Sequence, residues 1–225
     1  QLGISIPIGC YSSEFFPDDP LCDLFDRSGI NSGIENIQDD FINVATQTNK
    51  GWDVALQWIT DLWDGQFTLD TQHTFQTEAV TALFEGFERD ENGQFGEPEW
   101  VGRLWLTWDK DDWSLFWGID MIGDVSNHKS YGDGEYKDDA TYRGETVRVV
   151  LSGDKIFYHT FSATKYFGND QEWRAVLGVR NALDEDPPRV TTLALGELNT
   201  DGGVPIYSQY DYLGRTWYAS LAWDF

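Results

Sequence analysis

Apolar and polar residues alternate with a period of two along most of this chain. The clearest case is 215–225, where Trp217, Ala219, Leu221, Trp223 and Phe225 interleave with Thr216, Tyr218, Ser220, Ala222 and Asp224. Two is the strand period, so the segment predicts a strand with one aromatic, apolar face. Residues 51–60 repeat the pattern, with Trp52, Val54, Leu56 and Trp58 set against Asp53, Ala55 and Gln57. Residues 66–78 set Phe67, Leu69, Thr71, His73 and Phe75 against Gln66, Thr68, Asp70, Gln72, Thr74 and Gln76. Trp100, Leu104, Leu106 and Trp108 mark a strand within 99–109, and Trp113, Leu115, Trp117, Ile119 and Met121 mark the next. A further strand is expected to start at Val147, Val149 and Leu151 and to run through a kink near Gly153 to Phe167. Its outer side carries Phe157, Phe161, Ala163 and Phe167, and Trp173, Ala175, Leu177 and Val179 form the penultimate strand.

The connections alternate as well. Tight turns at 61–65, 109–112 and 168–171 take turns with long polar stretches at about 85–98, 124–145 and 184–213. Short turns at one end and long loops at the other are the plan of an outer-membrane barrel. The face opposite the aromatics is built of Gln, Thr, Asp and Ser, which suits a water-filled lumen better than the packed core of a soluble sandwich. The expected fold is all-β, a transmembrane antiparallel β-barrel of which this chain holds about seven strands. Residues 1–40 read as an extracellular loop and the start of a strand, and 41–225 as barrel strands. An odd set of strands leaves unpaired backbone groups in lipid, so further strands are expected upstream in a longer polypeptide or in a companion chain.

Composition sharpens this picture. Aromatics make up 16% of the 225 residues and 11 of them are Trp, yet only 40% of residues are hydrophobic. The mean hydropathy is −0.45. The apolar content is thus skewed toward the residues that anchor at membrane interfaces. The sequence has no run of about 18 apolar residues, the length a transmembrane helix needs. A net charge of −24 speaks against nucleic acid as a partner. The chain opens on Gln1 without a signal peptide, which reads as a processed protein or a piece of one. Cys10 and Cys22 sit in a polar segment, where a disulfide in an oxidising compartment is expected over two reduced thiols.

Candidate chemistry is sparse. His73, His128 and His159 are scattered, with no metal-ligand spacing, and no Gly-x-Ser-x-Gly element or phosphate loop is present. No catalytic residue and no cofactor is expected. The acidic residues concentrate in the long connections: Glu14, Asp18, Asp19, Asp23 and Asp26, then Glu85, Glu88, Asp90, Glu91, Glu97 and Glu99. A solvated surface accounts for them. Asp133, Glu135, Asp138 and Asp139 form the one calcium candidate, though without a complete EF-hand pattern. Lumen-facing candidates for contact with substrate or water are Asp70, Gln72, Thr74, Gln76, Arg103, Arg174 and Arg180. Arg103 and Arg174 are expected to pair with carboxylates. The loop aromatics Phe84, Phe87, Tyr131 and Tyr136 could stack on a ligand or pack the loops together.

One stretch carries a family resemblance. Residues 178–190 read Gly-Val-Arg-Asn-Ala-Leu-Asp-Glu-Asp-Pro-Pro-Arg-Val, and 210–215 read Tyr-Asp-Tyr-Leu-Gly-Arg, before the terminal aromatic strand. This resembles the C-terminal end of TonB-dependent outer-membrane receptors. In that family a strand reading roughly G-V-x-N-L-F-D-x-x-P-P leads into the last extracellular loop, and a Y-D-x-x-G-R element opens the final strand. The matching positions are Asn181, Asp184, Pro187, Pro188, Tyr210, Asp211, Gly214 and Arg215. Trp217, Leu221, Trp223 and Phe225 correspond to the terminal strand and its assembly signal. Residues 42–53 resemble the family's Asn-rich lead-in to a strand, and Cys10 with Cys22 resembles a paired-Cys extracellular loop.

The resemblance implies a barrel of about 22 strands, of which this chain supplies about the last third, with a plug domain that lies outside it. It implies partners: the plug and remaining strands, TonB through the plug, outer-membrane lipid and lipopolysaccharide, and a nutrient ligand. It implies import of a siderophore, cobalamin, haem or oligosaccharide across the outer membrane of a Gram-negative bacterium, without enzymatic chemistry. A passive outer-membrane channel and a soluble carbohydrate-binding β-sandwich are the alternatives. The motif residues also have physical roles. Pro187 and Pro188 end a ladder, Asn181 and Asp184 suit the turn that follows, and Gly214 relieves crowding where the last strand begins.

Overall fold

The computed structural model describes residues 5–29, 33–38, 46–82, 88–127, 140–142, 145–147, 150–189, 200–201, 204–205 and 209–223. They fall into two compact units, Gln1–Thr48 with Val80–Arg89, and Asn49–Ala79 with Asp90–Phe225.

Seven strands form the principal sheet: β1 (Thr46–Leu62), β2 (Gly65–Ala82), β3 (Trp100–Lys110), β4 (Trp113–Ile122), β5 (Ile156–Phe167), β6 (Trp173–Arg180) and β7 (Thr216–Trp223). They pair in strict chain order, and the short strand Glu88–Asp90 sits beside β2. Every ladder from β2 to β7 is antiparallel. The all-β, antiparallel fold class expected from the alternation is the one the chain has.

The hairpins are tight for a backbone reason. Trp63 and Asp64, between β1 and β2, have φ of 53° and 56°. Left-handed conformation at both central residues matches a hairpin turn to the twist of its strands. Asp111 between β3 and β4 has φ 52°, and Gly168 and Gln171 between β5 and β6 have φ 102° and 56°.

The strand expected from Val147 onward is corrected. β5 begins at Ile156. Ser152–Gly153 instead pairs with Val125–Ser126, and Glu145–Val147 with Ala140–Tyr142. Val149 lies outside the described residues. Leu151 joins a buried cluster with Phe95, Ile122, Val125, Ile156, Tyr158 and Tyr210. That cluster ties together the connections at the long-loop end. Asn127 accepts from the Phe95 amide and donates its own amide to the Leu151 carbonyl, and Ser126 donates to Gly93.

The N-terminal unit departs from the expected loop. It holds a helix, α1 (Ser5–Ser12), and a 3-10 turn at Pro20–Leu24. Asp19 caps that turn by accepting from the Leu21 amide at 2.8 Å. Cys10 and Cys22 are disulfide-bonded. Ile6, Cys10 and Leu21 are buried around the bridge, the burial that makes the segment fold locally. Asp26–Arg27 pairs with Ile34–Glu35 in the same unit.

Candidate functional site

The register sorts the sheet into two faces. Successive rungs of one face read Leu69 opposite Leu106, Leu106 opposite Trp117, Trp117 opposite Phe161, Phe161 opposite Val179 and Val179 opposite Trp217. The other face alternates with it at every position. Gln72 stands opposite Arg103, Arg103 opposite Asp120, Asp120 opposite Tyr158, and Arg180 opposite Thr216.

Exposure inverts the arrangement of a soluble protein. On the apolar face Trp52 is 73% exposed, Trp217 67% and Leu221 63%. Aromatic rings line both ends of this face. At the short-turn end Phe167 stacks on Trp173 with centroids 6.1 Å apart, and Trp173 on Trp223 at 5.7 Å. Lys165 lies over Trp113 at 4.7 Å. Toward the long-loop end Phe75 stacks on Trp100 at 6.4 Å, and Trp100 meets Phe157 edge-on at 6.2 Å. Each aromatic pair adds about 0.5–1.5 kcal/mol beyond the area it covers.

Two histidines repeat one device on this face. The Trp100 indole N–H donates to His73 Nδ1 at 3.1 Å, and the Trp117 indole N–H donates to His159 Nδ1 at 3.1 Å. An indole can only donate, so each Nδ1 accepts and each ring carries its proton on Nε2. The His73 Nε2–H then meets Thr71 Oγ1 at 3.0 Å, and that hydroxyl donates to the Arg103 carbonyl. The sequence shows isolated histidines; their indole partners come from across the ladder.

The polar face holds the lumen-facing candidates. Asp70 stands opposite Trp105, and the Arg103 guanidinium lies 4.2 Å from the centroid of that indole. Thr74 donates to Asp53 at 2.6 Å, and Gln76 donates to Glu97 at 3.1 Å. Arg174 stands opposite Tyr166 and Ala222, and Arg180 lies over the Tyr218 ring at 5.6 Å. Arg103 and Arg180 thus lie over rings, which residue type alone does not show, and Arg103 also stands opposite Asp120 across the ladder.

At the long-loop end the polar face carries a cavity of about 480 Å3. Asp120, Tyr158, Thr160, Arg180, Gln209 and Tyr210 are among its lining residues. Of these, Arg180 and Tyr210 stand out in the sequence, as a lumen-facing candidate and a motif residue. The others are a strand acid, two strand hydroxyls and a loop amide with no local signature; they meet only because β4, β5 and the 209–213 segment converge.

The motif residues knit the end of β6 to the start of β7. Asn181 is buried with φ 46°, and its amide donates to the Glu185 carbonyl and accepts from the Glu185 N–H, both at 2.9 Å. Asp184, at φ 61°, accepts from the Arg215 amide at 2.8 Å and faces the Arg215 guanidinium at 3.8 Å. Gly214 has φ 68° and packs against Asp184. Asp211 accepts from the Leu213 amide, Tyr210 packs on Phe95 at 6.5 Å, and Pro188 closes over Gly153. Trp217, Leu221 and Trp223 are exposed on the apolar face.

Phe225, Phe84, Phe87, Tyr131, Tyr136, His128 and the calcium candidates Asp133, Glu135, Asp138 and Asp139 lie outside the described residues. Among the described residues no cluster of His, Cys, Asp and Glu is placed to hold a metal ion, and no helix is long and apolar enough to cross a membrane.

No protein-family model and no curated protein matches the chain. Among solved structures it is similar to two crystal structures of mutants of the ferric enterobactin receptor PfeA from Pseudomonas aeruginosa. Identity is 18% in both, over 80% of this chain and 22% of the receptor, with TM-scores of 0.49 and 0.48. The chain therefore spans about a fifth of the length of those receptors.

Proposed function

We propose that this chain is the C-terminal barrel portion of a TonB-dependent receptor that imports a scarce nutrient across the bacterial outer membrane. One observation carries the reading. A single antiparallel meander presents an exposed aromatic and aliphatic face on one side and charged and hydroxyl-bearing residues on the other. Water would penalise that apolar face by about 25 cal/mol for each Å2 left bare, whereas lipid accommodates it. Rings at both ends of the strands match the two interfacial girdles of such a barrel. The sequence motif at 178–190 and 210–215 narrows the choice among outer-membrane barrels to a receptor.

On this reading the short turns face the periplasm, and the acidic connections and the long-loop cavity face outward. Nutrient binds between the loops and a plug supplied by the rest of the receptor, TonB acts through that plug, and no covalent bond of the nutrient is altered. Cys10–Cys22 braces an extracellular segment in an oxidising compartment. The native full-length polypeptide, purified from outer membranes and placed in planar bilayers, is the test. A plugged receptor is nearly silent; steady ohmic conductance would point to an open channel instead.

A further inference from the structure

The long-loop cavity contains a polar group that the fold leaves over. Tyr158 is 6% exposed; its hydroxyl oxygen, shielded from solvent, faces the Asp211 backbone, and no acceptor for its O–H proton stands among the described residues. A buried hydroxyl in that state costs about 1–3 kcal/mol, so it marks a place where a partner belongs. Asp120, on the neighbouring strand, stands opposite it and lines the same cavity. Thr160, Arg180 and Gln209 add further donors and acceptors, while Asp211 and Asn181 are already committed to their own loops.

The chemistry of these groups selects a ligand. The Tyr158 O–H has to donate, and the Asp120 carboxylate only accepts. A carboxylate, phosphate or catecholate cannot donate to Asp120, and an ammonium cannot accept from Tyr158. A hydroxyl does both. The net charge of −24 also opposes the approach of a polyanion. The cavity, at about 480 Å3, falls within the range of small-molecule sites. The buried rings of Tyr158 and Tyr210 offer apolar surface to the C–H face of a ring. We infer that this cavity binds one ring of a neutral sugar. The inference rests on the receptor reading and names the substrate class for it.

Calorimetry on the native full-length polypeptide in detergent tests this, with maltohexaose, cellohexaose, xylohexaose and mannohexaose as probes and a ferric tris-catecholate as the anionic comparator. At least one sugar binds. Tyr158→Phe weakens that sugar by about 2- to 12-fold, the worth of one neutral hydrogen bond, with little change in Tm, because the ring stays and the buried O–H proton without an acceptor is removed. Gln209→Ala, at the half-exposed rim of the cavity, weakens it as well and guards against a folding artefact at Tyr158. Silence of all four sugars up to about 10 mM, or affinity unmoved by both variants, overturns the inference. Binding of the catecholate alone overturns it while leaving the receptor reading intact, whereas steady conductance without ligand removes the receptor reading itself.

Discussion

Gly178 gives Tyr218 the space a side chain would take: a Cβ built there collides with the hydroxyl end of the Tyr218 ring. Gly102 does the same for His73 on the opposite face. Gly178→Ala forces the ring, and the Arg180 stacked on it, to move, at a cost of about 1–3 kcal/mol. Thermal unfolding of the variant in detergent, read as a lowered midpoint, checks this. Asp112, in the turn between β3 and β4, accepts a hydrogen bond from the Lys165 ammonium, which holds its carboxyl below the usual carboxylate range. A depressed pKa stabilises the fold above the ordinary value, and that contribution is lost as pH falls through the depressed one. The pair is exposed, so the effect is small. Asp112→Asn narrows the difference between the unfolding midpoints at neutral and acid pH; an unchanged difference contradicts the pairing. The motif residues were legible as turn-formers, since Asn, Asp and Gly are the residues that tolerate positive φ. Their hydrogen bonds across about thirty residues, Asp184 to Arg215, were not, because nothing in local sequence encodes a partner that distant.

At the scale of elements, the strands were readable wherever a whole run alternated, as in β1, β6 and β7. The reading failed where alternation ran past the sheet. Leu151 sits in phase with the face of β5, yet the loop cluster claims it and the strand starts five residues later. In α1, Ile6 and Ile8 alternate as in a strand, and Pro7 and Gly9 argue against a helix. Pro7 falls in the first turn of α1, where its missing N–H is no loss. The covalent link then decides the local fold. Cys10 and Cys22 are 12 residues apart, and a loop of that size contributes about 3 kcal/mol in the chain-entropy account. Cys10→Ser is therefore expected to speed limited proteolysis of the 13–21 segment by about a hundredfold if that stability is local. Cleavage at the native rate would show that the bridge is dispensable.

For the whole molecule, the two faces make opposite predictions from adjacent residues. Leu177 is on the apolar face and Val176 on the polar one. Leu177→Arg should destabilise the inserted protein by about 2–4 kcal/mol if its site faces the bilayer midplane, and Val176→Arg far less. Unfolding in vesicles, followed by the heat-dependent gel mobility of barrels, separates them. A larger penalty at Val176 would place lipid on the wrong side of the sheet. The cavity was the part of the site least visible in sequence, because Tyr158 and Asp120 are ordinary strand residues until β4 and β5 are laid side by side.

Among the described residues, the order of strands leaves β1 joined only to β2, and β7 only to β6. Each therefore has a flank of amide and carbonyl groups awaiting a ladder. Made in isolation, one copy's last strand is a template for another copy's first. Such head-to-tail growth lengthens into ribbons unless its angle happens to bring it round into a ring. On the proposed receptor reading, the safe moment to release these strands in the cell is when the remainder of the wall is already at hand.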